Sequence, residues 1–171
     1  MSTTMSPELQ KAQEIAATAR VLAVFALTVI AINVLSKVGV RIGTGLFEDA
    51  MSWRELIQDV GPILISLLPT FLFFESINQL RRALKLYSDG EFFNAAAAVR
   101  VAEAGDYAIG AMAATILVVP NLTEWVAHRG GFHMRFESEF IGMIAFALFV
   151  SAVGRILAAA TQLKSENDSF V

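Results

Sequence analysis

The chain has 171 residues, of which 56% are hydrophobic and 17% charged, with a formal charge of −3 and a mean hydropathy of +0.59. That is more apolar side chain than a soluble chain of this length needs for its core, and the slightly negative balance offers no basic field for holding phosphates, so direct nucleic-acid binding is not expected. There is no cysteine, which excludes disulfides, thiolate metal sites and cysteine nucleophiles together.

The charges crowd into short stretches and leave four apolar runs of about twenty residues, the length needed to cross roughly 30 Å of hydrocarbon. The expected fold is all-α: one domain over residues 1–171, with four transmembrane helices in an up-down bundle spanning about 17–37, 60–82, 103–122 and 138–162. Ser6-Pro7-Glu8 supplies an N-cap, a proline at the first helical position and an acidic first turn, so a helix should begin there. The leading region carries Glu8 and Glu14 and lacks a small-x-small cleavage site, which argues against a removable signal peptide. Gly39, Gly43 and Gly45 predict a turn, followed by a short amphipathic helix that brings Trp53 to the membrane surface. Gly61-Pro62 opens the second span, and Pro69 should kink it. Ser88-Asp89-Gly90 ends that helix, Gly105 marks a second turn-type glycine, and Pro120-Asn121 with Trp125 marks the far end of the third span.

Orientation follows from lysine and arginine near the span ends. An inside N-terminus places Lys11, Arg20, Arg81, Arg82, Lys85, Arg100, Arg155 and Lys164 inside, against Lys37, Arg41, Arg54, Arg129 and Arg135 outside. Both termini and the elbow around Gly90 are therefore expected in the cytoplasm.

Gly90-Glu91-Phe92-Phe93, followed by Gly105 twelve residues beyond the last Phe, and the closing Leu163-Lys164-Ser165-Glu166-Asn167-Asp168-Ser169-Phe170-Val171 resemble the patterns of the DUF2975 family of small bacterial four-span membrane proteins of unknown function. The resemblance implies residence in the bacterial inner membrane. Members are often encoded beside small helix-turn-helix regulators, which implies a membrane partner for a DNA-binding protein. Where relatives are polar and basic after the Phe, this chain has Ala95 to Ala98.

Ionisable residues within spans are costly and therefore informative. Glu75, Asp106 and Arg155 fall at similar depth, which predicts a buried ion pair of Arg155 with Glu75 or Asp106, either as a packing pin or as part of an ion path. His128 and His133 share an outer loop, and their spacing is weak evidence for a metal site. No nucleophile elbow or His-Glu-x-x-His pair occurs, so neither a catalytic role nor a cofactor is expected. Small residues at four-residue spacing, Ala104-Ala108, Ala147-Ser151 and Gly154-Ala158, permit close helix approach and serve the bundle or a homo-oligomer equally.

The reading that results is a non-catalytic membrane regulator or assembly subunit. It would bind a cytoplasmic regulator or a membrane-complex subunit through the elbow (Arg81, Arg82, Lys85, Phe92, Phe93) and the tail, with the two aromatics set in a basic rim. The alternative is a small transporter or channel subunit working through Glu75, Asp106 and Arg155. Topology is directly testable because no native cysteine interferes. Single cysteines at Ser2, Thr44, Ser88, Gly131 and Ser169 should be labelled from outside intact cells only at Thr44 and Gly131, and labelling at Ser88 with protection at Thr44 would reverse the orientation.

Overall fold

The computed structural model describes residues 6–47, 53–126, 131–135 and 137–169. His128, the 48–52 link and the closing Phe170 and Val171 lie outside them. Helix α1, Pro7–Phe47, starts where its capping signal predicts: the Ser6 hydroxyl accepts the Leu9 N–H at 3.4 Å and the Ser6 carbonyl accepts that of Gln10 at 3.2 Å. Its 41 residues reach about 60 Å, longer than the hydrocarbon core is thick. The turn expected from Gly39, Gly43 and Gly45 does not occur, and the helix runs through all three. Glycine's weak helix propensity, about 0.5–1 kcal/mol per residue against alanine, is too small to stop a helix already propagating over this length.

Helix α2, Trp53–Ser88, contains both Pro62 and Pro69 without interruption and so begins well before Gly61-Pro62. It ends in a Schellman turn, in which Gly90, at φ 89°, donates to the Tyr87 carbonyl at 3.1 Å and Glu91 to that of Leu86 at 3.0 Å. Asn94 then caps helix α3, Ala95–Ala113, its side-chain oxygen accepting the N–H groups of Ala96 at 2.8 Å and Ala97 at 3.4 Å. Gly105 lies inside α3, not in a turn.

The third helix carries on beyond Pro120. A π-helical turn over Ala114–Val118, closed by Val119 N–H to the Ala114 carbonyl, leads into helix α4, Val119–Val126. Pro120 has no N–H for the Ile116 carbonyl four residues back. That acceptor is taken instead by the Arg135 N–H at 3.2 Å. Asn121 secures the same segment, accepting the His133 N–H at 3.0 Å and donating to the His133 carbonyl at 2.8 Å. Helix α5, Ser138–Asp168, completes the chain.

The helices alternate in direction, and both described chain ends lie beside the elbow: Gln13 abuts Gly90, and the Lys164 ammonium sits 3.9 Å over the Phe93 ring. Among the described residues α1 packs on α2, α2 on α3, and α3 on α5, while neither α1 nor α2 meets α5. Helix α1 turns a heptad-like stripe inward, Ala16 and Ala23 buried, with Gln13, Arg20, Leu27 and Val34 half-buried. It rests against Leu67, Phe71, Phe74 and Asn78 of α2, the face opposite to the one that Ser76, Gln79 and Ala83 turn to α3. Beyond the π turn the third helix leans on α2 and parts from α5.

The tightest packing is at the α3–α5 crossing. A Cβ on Gly105 would lie 2.4 Å from the Ser151 nitrogen, and one on Gly154 would lie 2.2 Å from that of Ala102, so the backbones touch with no room for a methyl group. Gly154→Ala should therefore destabilise the protein by about 1–3 kcal/mol through overpacking. Gly142→Ala, where nothing lies within 4 Å, should be neutral or gain about 0.5–1 kcal/mol. Thermal unfolding in mild detergent measures both, and equal midpoints for the two variants would show that the crossing is not close-packed.

Candidate functional site

Glu75, Asp106 and Arg155 fall into two separate networks, one across the α2–α3 interface and one across the α3–α5 interface. Asp106, the residue after the Gly105 crossing, accepts Arg155 Nη2 at 2.9 Å and the Ser151 hydroxyl at 2.7 Å. Ser151 lies one turn before Arg155 and is itself buried at 5% exposure. The pair differs from the expected one in burial: the Arg155 and Asp106 side chains are 67% and 48% exposed, so they sit on the protein's outer surface and not within the bundle. Asp106 is one residue, about 100° of helix, past the glycine that faces α5, which turns its carboxylate out along the rim of the crossing.

Glu75 takes no part in that pair. Depth matches, but azimuth does not, because α3 stands between α2 and α5. Glu75 instead accepts Gln79 Nε2 at 2.9 Å and Asn78 Nδ2 at 3.2 Å, one helical turn on. Gln79, at 7% exposure, accepts Arg100 Nη1 at 3.0 Å across the α2–α3 interface. Asn78 accepts Arg81 Nη2 at 2.9 Å. Two amides thus relay one carboxylate to two guanidiniums. Sequence reasoning missed Asn78, Gln79 and Arg100. Their signal was the i+3 and i+4 spacing of two amides after Glu75.

At the elbow the expected docking residues separate. Arg81 faces the α1–α2 seam beside Val24 and Leu27, while Arg82 and Lys85 are exposed. Phe92 is half-buried and stacks on Tyr87, with centroids 6.4 Å apart and planes at 9°. Phe93 is 66% exposed beneath Lys164. Between elbow and tail opens a cleft of about 1260 Å³, walled by Leu9, Phe92, Phe93, Val99 and Ala158, with Glu91 and Glu166 among its polar groups. Arg81, Arg82 and Lys85 are not among its described lining residues, and the cation set over its Phe93 wall is Lys164. His133 is exposed and uses its main chain to hold Asn121.

Four long apolar helices pack together, and in the most apolar stretch of each only 6% to 22% of residues are buried inside the protein. A surface so apolar at those depths requires hydrocarbon around it, which defines an integral membrane protein with four candidate spans embedded in a lipid bilayer. The profile of the family described as "Protein of unknown function (DUF2975)" matches residues 11–171, and the chain belongs to that family. Comparison with curated proteins and with solved structures found no match.

The geometry sets a specific expectation for the charges. Arg155→Leu should lower the folded yield, and adding Asp106→Leu should restore it, with a coupling of about 0.6 kcal/mol, the average for interhelical polar pairs in membranes. Adding Glu75→Leu should restore nothing. Rescue by Glu75→Leu alone would contradict the two-network arrangement.

Proposed function

We propose that this protein is a non-catalytic regulator or assembly subunit of the bacterial inner membrane, with both termini and the elbow in the cytoplasm. The observation that carries the reading is the open cleft between elbow and tail. It is large enough for a peptide segment, it is built from three separate parts of the chain (Leu9, the 90–95 elbow and the end of α5), and it keeps an aromatic ring exposed at its edge. An exposed aromatic in a mixed apolar and polar setting is the usual anchor of a binding hot spot. With Glu91 and Glu166 in the lining, the segment it suits is apolar with basic residues.

The transporter reading has less support. Asp106–Arg155 and Glu75–Gln79–Arg100 are separate networks, one on the outer surface and one closed on itself by amides.

A partner captured with the intact chain tests the proposal. Phe93→Ala should weaken its retention by about 2 kcal/mol, roughly 30-fold, with membrane yield unchanged, and Glu166→Gln should weaken it less. Arg82→Gln with Lys85→Gln should leave retention unchanged. A partner indifferent to Phe93, or lost equally on changing Arg82 and Lys85, would overturn the assignment of the cleft.

A further inference from the structure

Among the described residues, helices α2, α3 and α5 occupy three corners of a four-helix bundle, and no described helix fills the fourth. A groove of about 430 Å³ marks it, floored by Ala104, Gly105 and Ala108 of α3 and walled by Phe73 and Ile77 of α2 and Phe146 of α5. In a closed up-down bundle α1 would lie in this groove, antiparallel to both walls. Here it lies on the far side of α2, one interface away, and Phe25, Val29 and Ile32 on its outer stripe are left 67%, 48% and 61% exposed.

We propose that α1 of a second copy fills the groove, so that two chains related by a two-fold axis along the membrane normal each lend their first helix to the other. Direction supports it: α2 and α5 both run toward the elbow end, so the missing neighbour must run away from it, as α1 does, and a two-fold axis along the normal preserves that sense. Depth supports it as well. Ala31 lies beside Phe74, and Ser76, two residues on, donates to the Ala104 carbonyl at 2.7 Å, which sets Ile32 level with the groove floor. The shapes are complementary: the outer stripe of α1 presents large side chains, and the floor consists of residues small enough to let a helix approach closely. One symmetry operation closes both vacancies and leaves no repeating surface, the condition for a discrete dimer instead of a chain of subunits.

The absence of native cysteine permits a direct test in native membranes. Two differently tagged full-length chains are co-expressed, one carrying Ile32→Cys and the other Ala108→Cys, and treated with a short bifunctional thiol reagent. The expected product joins both tags at twice the chain mass, many-fold above the yield from Ala16→Cys, which faces α2, paired with Ala108→Cys. Ala108→Phe, which fills the groove, should abolish cross-linking between Ile32→Cys and Phe146→Cys and convert the detergent-solubilised protein from two chains to one, with helical content by circular dichroism unchanged. Four results would overturn the proposal: a link formed only within a single chain bearing both cysteines, which places the chain's own α1 in the groove; a link to a different polypeptide; no link with a one-chain mass, which leaves the groove to lipid; and a two-chain mass that Ala108→Phe does not alter.

Discussion

The backbone contact between α3 and α5 is the constraint on which the rest of the structure depends. Gly105 and Gly154 let two helices meet with no side chain between them, and within lipid, where burying apolar surface gives no advantage over leaving it in hydrocarbon, such close packing is a principal source of helix association. The crossing also fixes what surrounds it. It buries Ser151 against α3, brings Asp106 within reach of Arg155 and leaves both charges on its rim. The polar contacts at this level follow from the packing and do not produce it.

The elbow is a second fixed point, set by local chemistry. A Schellman turn at Gly90 and an Asn94 cap close the last carbonyls of one helix and the first amides of the next, so the reversal needs little support from elsewhere. Phe93, between the two caps, is left exposed. Lys164 covers one face of the ring with a cation–π contact, which ties the tail to the elbow without burying either.

Much of this was legible in the sequence wherever the cause was local. The four apolar runs, the start of α1 at Ser6-Pro7 and the stop at Ser88-Asp89-Gly90 each carry their own physical signal, and each appears in the structure. Signals that depend on surroundings were misread. The glycines of α1 read as a turn by local propensity, yet the helix continues through them. Gly105 looked like punctuation because spacing alone cannot distinguish a glycine that bends the chain from one that admits another backbone. The partnering of Glu75 failed for a geometric reason: hydropathy fixes depth, but neighbours around a helix axis are set by packing order, which no single segment encodes. Arg100, Gln79 and Asn78 were visible as residues and silent as a network for the same reason.

The attachment of α1 to one neighbour has a consequence for biogenesis. Helices enter the membrane in the order of synthesis, so α1 enters before α2, the one described helix on which it packs. The α3–α5 crossing, the tightest contact of the bundle, exists only once α5 has been made. Order of synthesis and order of consolidation therefore run opposite ways. Of the four, the earliest is held by a single neighbour and the latest completes the tightest contact, so a ribosome that stalled before α5 would leave in the membrane three spans with their keystone missing.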